Sequence, residues 1–464
     1  MRILAGREGM GRNGGLRLLV AVIAVLVALC SPTASSAAIA DLTVVANTGV
    51  EDYGEVGNID YRPAISADGR FVAYVSFSIG YPNPLFLRDL DRQTTTVVAS
   101  SESEELYGTE NTSPVLSASG RYLAFVSDEP DLSKEDLDKL RGPTGTFPVV
   151  DVHVYDRVKK TMKLASRRSG RHGKPAVGDS TRPSISADGR VVAFSTDSLN
   201  LGPPGPLRPG GVYQRDLFRE RTDLVSAVPG IQFWHPSSFF PDVSGDGRRV
   251  AFGYQYDPRP WDPDNPPRNV GRWMAARSKQ VMLRDPAWRR PRLVSRAFGA
   301  PGALPNDDCL HASASHTGRF VAFACDATNL APGDRNGFRD VFVRDVKRRS
   351  TFLVSAPEGR PIGNGDSEVP SISADGRYVA FSSMAGNLVP GDEDEKSDVF
   401  LKDLQTGSLT LLSPGLGGEA SNGSSANPVL TPDGRFVVYA TTSSNITPAD
   451  AKHDMSIYRV RLQP

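Results

Sequence analysis

One hairpin is written into this chain seven times. The strings AISADGRFVAYVS, VLSASGRYLAFVS, SISADGRVVAFST, DVSGDGRRVAFGY, SASHTGRFVAFAC, SISADGRYVAFSS and VLTPDGRFVVYAT begin at residues 64, 115, 184, 242, 313, 371 and 429. Their turn glycines, Gly69, Gly120, Gly189, Gly247, Gly318, Gly376 and Gly434, are spaced 51, 69, 58, 71, 58 and 58 residues apart, so the units tile the chain. A unit of this size cannot bury its own apolar face and must stack on its neighbours. After each hairpin come a variable loop, a third strand such as DVFVRDV (340–346) or DVFLKDL (398–404), and a fourth such as TFLVSA (351–356) or LTLLS (409–413). Four antiparallel strands per unit make a propeller blade. The chain is therefore predicted to be all-β, a seven-bladed β-propeller of four-stranded antiparallel blades.

The two ends of the repeat predict how the ring closes. The last unit stops at SIYRVRLQP, its third strand, whereas LTVVANTG (42–49) is an orphan strand with the fourth-strand pattern. Residues 42–47 are expected to complete the last blade, which leaves no open sheet edge between first and last blades. Within each hairpin, Ala374-Asp375-Gly376 and its equivalents read as a three-residue loop closed by Ser373 and Arg377, with Gly in the left-handed position. The Asp before the Gly, present in five of the seven turns with Ser119 and Thr317 in the other two, is explained by turn chemistry, its carboxylate accepting from nearby backbone N–H groups.

The hairpin resembles the repeat of TolB-type WD40-like (PD40) β-propellers, whose consensus is similar to SPDGRxIAF. TPDGRFVVY at 431–439 is the closest copy and HTGRFVAF at 316–323 the loosest, and the resemblance covers residues 42–462. It implies the fold and leaves the function open. TolB-type proteins carry an α/β domain before the propeller, for which the stretch from Asp41 to Tyr61 has no room. Prolyl oligopeptidase-like enzymes have similar propellers followed by a hydrolase domain, and no GxSxG nucleophile elbow occurs in this sequence. Other members of the class resemble metal-dependent polysaccharide lyases that gather histidines at the channel, and here only His311 has such an address.

Residues 1–40 read as a secretory signal peptide: Arg2, Arg7, Arg12 and Arg17 precede the apolar run Leu18 to Leu29 and the small-residue stretch SPTASSAAIA. The run is shorter than the ~20 residues a spanning helix needs. Cleavage is expected after Ala38 or Ala40, and Leu29 before Cys30 departs from the small residue of a lipidation site. The propeller is assigned to residues 41–464, secreted or held in the cell envelope. Of the 53 basic and 53 acidic residues, the leader removes four Arg and Glu8, leaving a net charge of −3. With the Arg dispersed, that balance recruits neither nucleic acid nor an anionic membrane, and a monomer is expected.

Three constellations could carry function. Cys309 and Cys325 flank the fifth hairpin, and the inferred register sets them directly opposite, as a disulfide in an exported chain. The loops after the second strands read NLAPGDRNGFRD, giving Asp334, Asn336 and Asp340, and NLVPGDEDEKSD, giving Asp392, Asp394 and Asp398; NITPADAKHD is a shortened version with Asp450 and Asp454. Oxygen ligands at positions 1, 3 and 7 can converge on Ca²⁺, although the EF-hand Gly at position 6 and Glu at position 12 are absent. The alternative is that these groups cap and solvate a long turn. Seven residues before each turn Gly stand Arg62, Ser113, Arg182, Phe240, His311, Val369 and Asn427, expected to ring one mouth of the channel, where two Arg and a His could hold an anionic ligand. A hydrated rim is the plainer explanation. The insertion WDPDNPPRNVGRW (261–273) is either a floppy loop or an aromatic recognition loop. The favoured function is non-catalytic binding of a protein or envelope polymer through one face of the ring. The alternative is a glycan lyase or hydrolase using Arg62, Arg182 and His311.

Overall fold

The computed structural model describes residues 39–463 apart from 48–61, 77–82, 101–111, 130–131, 134–148, 199, 202–210, 228–236, 256–278, 289, 298–301, 358–361, 393, 417–420 and 448–454. The first 38 residues of the leader, the 261–273 insertion, Asp450 and Asp454 thus lie outside the described residues.

Seven four-stranded antiparallel sheets form the seven blades. In six of them strand order follows the sequence, as in blade 5, where Cys309–Ala314 is followed outward by Phe320–Cys325, Asp340–Asp345 and Ser350–Leu353. In blade 7 the outermost place belongs to Ile39–Asn47, paired antiparallel with Ser456–Leu462 from Ile39↔Leu462 to Asn47↔Ser456. The ring closes as the orphan strand predicts, with the strand beginning three residues earlier than Leu42.

Repetition has a packing reason. The second strand of each blade lies between two neighbouring blades, so its residues are buried on both faces rather than on alternate ones; Val321, Ala322 and Phe323 have no exposure at all. Across the second and third strands of blades 1, 3, 5, 6 and 7 sits one aromatic pair, such as Phe323 with Phe342 (5.8 Å) and Tyr439 with Tyr458 (6.0 Å), whereas blade 4 sets Met282 opposite Phe252. Blade 2 departs from this pattern, placing His153 against Phe125, and neither ring nitrogen of His153 meets a partner among the described residues. Burial holds its pKa down at about 4.

The turn is one residue longer than the sequence suggests. Ser373 N–H donates to Tyr378 O (2.9 Å), so Ser373 and Tyr378 close a four-residue loop, Ala374 to Arg377. The return bond is supplied by a side chain: Tyr378 N–H donates to Ser373 Oγ (2.9 Å), whose hydroxyl donates to Asp375 Oδ1 (2.6 Å), which also accepts Arg377 N–H (2.9 Å). Arg377 then reaches Asp403 at the end of the third strand (2.7 Å). Every residue of the S-x-D-G-R motif is thereby used for structure. Gly376 has φ +80°, and a Cβ there would lie 2.2 Å from the Phe320 ring of the preceding blade. At the seam, Gly69 of blade 1 meets the Phe436 ring of blade 7, and Arg459 donates to Gly69 O (2.9 Å).

The register error has a compensating partner. Near the turn, pairs such as Ser313↔Ala322 follow the longer loop, but a bulge between Leu310 and Ser313 shifts the ladder by one residue. The two deviations cancel beyond the bulge, and Cys309 faces Cys325 with Cα atoms 4.0 Å apart, joined by the expected disulfide.

Candidate functional site

The bulge recurs in the first strand of every blade from the second to the seventh, between Thr112 and Val115, Thr181 and Ser184, Phe239 and Asp242, Leu310 and Ser313, Glu368 and Ser371, and Ala426 and Val429. At each one the residue seven before the turn Gly takes a left-handed backbone: Ser113, Arg182, Phe240, His311, Val369 and Asn427 have φ between 50° and 58°. For Phe and Val this is a strained conformation, and five of the six also precede Pro. Bulges re-aim side chains beside sites. Here Arg62, Ser113, Arg182, Phe240, His311 and Val369 line one cavity of about 240 Å³ that also runs along the first strands as far as Ile65, Leu116 and Ile185; the six stand at the strand ends away from the hairpin turns. Six of the seven residues expected at the mouth are thus brought together. Asn427 holds the seventh place in the ring but is 1% exposed and contributes no lining.

Polar and aromatic groups are arranged unevenly around this mouth. On one side the Arg182 guanidinium stacks 3.9 Å over the Phe240 ring, whose face or edge meets His311 at 4.7 Å and 89°. Arg62, on blade 1, donates to Pro428 O of blade 7, while its Nε meets no partner among the described residues. Burial draws the Arg62 pKa down to about 10, opposed by Asp242. Burial takes His311 to about 3, helped by the positive charges of Arg339, Arg182, Arg62 and Lys279, so its imidazole is neutral at physiological pH.

Asp242 was not anticipated. It occupies the place two residues after the ring position, where blades 3, 5 and 6 carry Ser184, Ser313 and Ser371. Each of these oxygens accepts a backbone N–H of the next blade: Ser184 from Val243 (2.7 Å), Asp242 from Ala314 (2.6 Å), Ser313 from Ile372 (3.3 Å) and Ser371 from Leu430 (3.0 Å). A latch that elsewhere needs only a hydroxyl is here made by a carboxylate. Burial pushes its pKa up to about 6, against the lowering effects of Ala314 N–H and Arg62. Aligning the seven repeats at this column would have exposed the exception.

The two acidic loops sit elsewhere, at the starts of third strands. The position-7 carboxylates are partly structural: Ser355 Oγ donates to Asp340 Oδ1 (2.5 Å) and Ser413 Oγ to Asp398 Oδ1 (2.6 Å). Burial raises Asp334, Asp340 and Asp392 to about 6 and Asp398 to about 7, with added repulsion on Asp340 from Asp334 and Asp366, on Asp392 from Asp394, and on Asp398 from Asp392 and Asp394.

No protein-family model matches the chain, and no curated protein does. Solved structures with similar folds include an oligogalacturonate lyase in complex with manganese (13% identity, TM-score 0.48, covering 87% of this chain and 89% of that one). The oligogalacturonate lyase of Vibrio parahaemolyticus is 12% identical, with TM-score 0.49 over 92% of this chain and 98% of its own. TolB from Acinetobacter baumannii is 13% identical, with TM-score 0.39 over 84% and 78%. At such identities and TM-scores these likenesses bear on neither ligand nor activity.

Proposed function

We propose that this is an exported, non-catalytic propeller of the PD40 type, acting as a monomer, that binds an acidic group of an envelope polymer or protein at the channel mouth. The observation that carries this reading is the ring itself. At one backbone position the fold tolerates strain in six blades, two of which place Arg182 and a neutral His311 there, and Arg62 of blade 1 stands at the equivalent place beside the same cavity. At pH 7 two guanidiniums face one carboxylate, Asp242, so the mouth keeps an excess of positive charge in a chain that is otherwise near neutral. Export is supported by the leader pattern and by the Cys309–Cys325 disulfide, which suits an oxidising compartment. Cleavage after Ala38 would leave the closing strand, which begins at Ile39, whole.

A second reading, a glycan lyase or hydrolase, is favoured by one feature, a carboxylate with pKa about 6 beside Arg62. The test is capture from envelope and culture-supernatant extracts by the wild type and by an Arg62→Ala/Arg182→Ala double variant of equal thermal stability. Binding predicts a stoichiometric acidic partner that the double variant loses. Capture unaffected by the double variant would remove the mouth from the account, and release of cleaved glycan that Asp242→Asn abolishes would establish the enzymatic reading instead.

A further inference from the structure

The same loop occurs in blades 5 and 6 with one decisive change, Asn336 against Asp394. In blade 5 the orientation of the Asn336 amide is fixed by three contacts. Its oxygen accepts Phe338 N–H (3.1 Å), and its Nδ2 donates both to Asp340 Oδ2 (2.9 Å) and to Gly363 O (2.9 Å). The NH₂ group thus lies between acceptors and supplies a hydrogen-bond donor to the oxygen of Asp340 that faces the loop.

In blade 6 the backbone half of this arrangement is retained, since Lys396 N–H donates to Asp394 Oδ1 (3.0 Å) just as Phe338 N–H does to Asn336. The other half is inverted. Where blade 5 has a donor, blade 6 has a second carboxylate oxygen, and oxygens of Asp392, Asp394 and Asp398 lie within 4.8 Å of one another. Asp392 and Asp398 are 3% and 1% exposed, and Asp392 Oδ1 and Asp398 Oδ2 are buried without a hydrogen-bond partner among the described residues; Asp334 Oδ1 of blade 5 is likewise without one, so the oxygen that sets blade 6 apart is Asp398 Oδ2, whose counterpart on Asp340 accepts from Asn336. Burying several acceptors face to face without a donor or counter-ion is costly. Lys396 Nζ stands 3.2 Å from Asp394 Oδ2, but its side chain is 44% exposed, and among the described residues no ion pair reaches Asp392 or Asp398.

We propose that blade 6 binds one calcium ion through Asp392, Asp394 and Asp398, and that blade 5 is the metal-free version of the same loop, with the Asn336 amide in place of the cation. Calcium takes oxygen ligands at about 2.4 Å in flexible geometry, so oxygens up to ~4.8 Å apart can share one ion, and the remaining positions can be filled by water or backbone carbonyls. The ion would join the start of the third strand to the loop before it.

The test is calcium titration of the purified, chelator-treated protein by calorimetry, with thermal unfolding followed alongside and magnesium as a control. The expected result is one calcium per chain, a rise in melting temperature with calcium that millimolar magnesium does not reproduce, and at least a tenfold loss of affinity in Asp394→Asn. That variant turns the blade 6 loop into the blade 5 loop and is expected to melt no lower than wild type in chelator. The reverse change, Asn336→Asp, is expected to raise the stoichiometry to two. No bound calcium, two equivalents in the wild type, or unchanged affinity in Asp394→Asn would overturn the proposal.

Discussion

The two ends of the channel are built from the same seven repeats and differ in what the repeats share. At the turn end one motif recurs with little change, and its parts are consumed in holding the loop: Ser373 and Asp375 by the backbone, Gly376 by the neighbouring ring, Arg377 by Asp403. At the mouth the backbone recurs, bulge for bulge, while the side chains do not: Ser113, Arg182, Phe240, His311, Val369 and Asn427 share one strained conformation and little chemistry. Where structure needs a residue, a repeat protein repeats it. Variation at a fixed, costly position is therefore the better pointer to binding.

The strongest way to break this contrast is at the turns. Gly376→Ala would press a methyl group into the Phe320 ring at 2.2 Å and force a left-handed Ala. A loss of about 3 kcal/mol in urea unfolding is expected, and a loss under about 0.5 kcal/mol would show that the turn glycines are not needed for blade contact. At the mouth end the Cys309–Cys325 disulfide closes a 16-residue separation two residues before His311. Replacing both cysteines by Ala is expected to lower stability by about 2–3 kcal/mol in the loop-entropy model, with the same loss on reducing the wild type.

Blade 2 offers a sharper test, because an odd residue in a repeat can also be a tolerated defect. His153 lies in an aromatic column with both nitrogens unsatisfied. His153→Phe is expected to stabilise the protein by about 1 kcal/mol at pH 7. The folded pKa, about 4, is below the usual 6.5, so only the unfolded state takes up the proton as pH falls from 6.5 towards 4. The stability that neutral His153 permits is complete above that window and is lost through it, and the gain from Phe should grow between pH 6.5 and 4. Thermal melts of both proteins across this range check the sign.

The smallest effect concerns Asp242. Its pKa of about 6 means that lowering pH from 7.5 to 5 protonates it and frees Arg62 of its competing charge, while His311, at about 3, stays neutral. Affinity for an acidic ligand is expected to rise about threefold over this interval, on the order of 0.7 kcal/mol. Asp242→Asn should bind at pH 7.5 as the wild type does at pH 5, and equal pH dependence in both proteins would remove Asp242 from the site.

Most of the architecture was legible because a propeller repeats its instructions: seven turn glycines gave the blades, and the orphan strand from Leu42 gave the closure. Counting back from the same glycines reaches six residues that line one cavity, since the bulge falls at a constant distance from the turn. What escaped were features that repetition does not announce. The side-chain closure by Ser373 made the loop one residue longer than the three-residue turn expected, and only the bulge at His311 restored the Cys309–Cys325 pairing. Asp242 was overlooked because a latch serine and a latch carboxylate look equally polar, and only burial beside Arg62 separates them. The acidic loops read alike in sequence, and the direction of one amide, Asn336, distinguishes them.

The most direct measurement is a hydrogen-exchange footprint of the protein saturated with an acidic polysaccharide such as a polyuronate, or with the partner recovered by capture. The account predicts protection of residues 62–65, 113–116 and 182–185 at the mouth, with the turns 67–70 and 374–377 unchanged. Protection confined to the turns or to the outermost strands would contradict it.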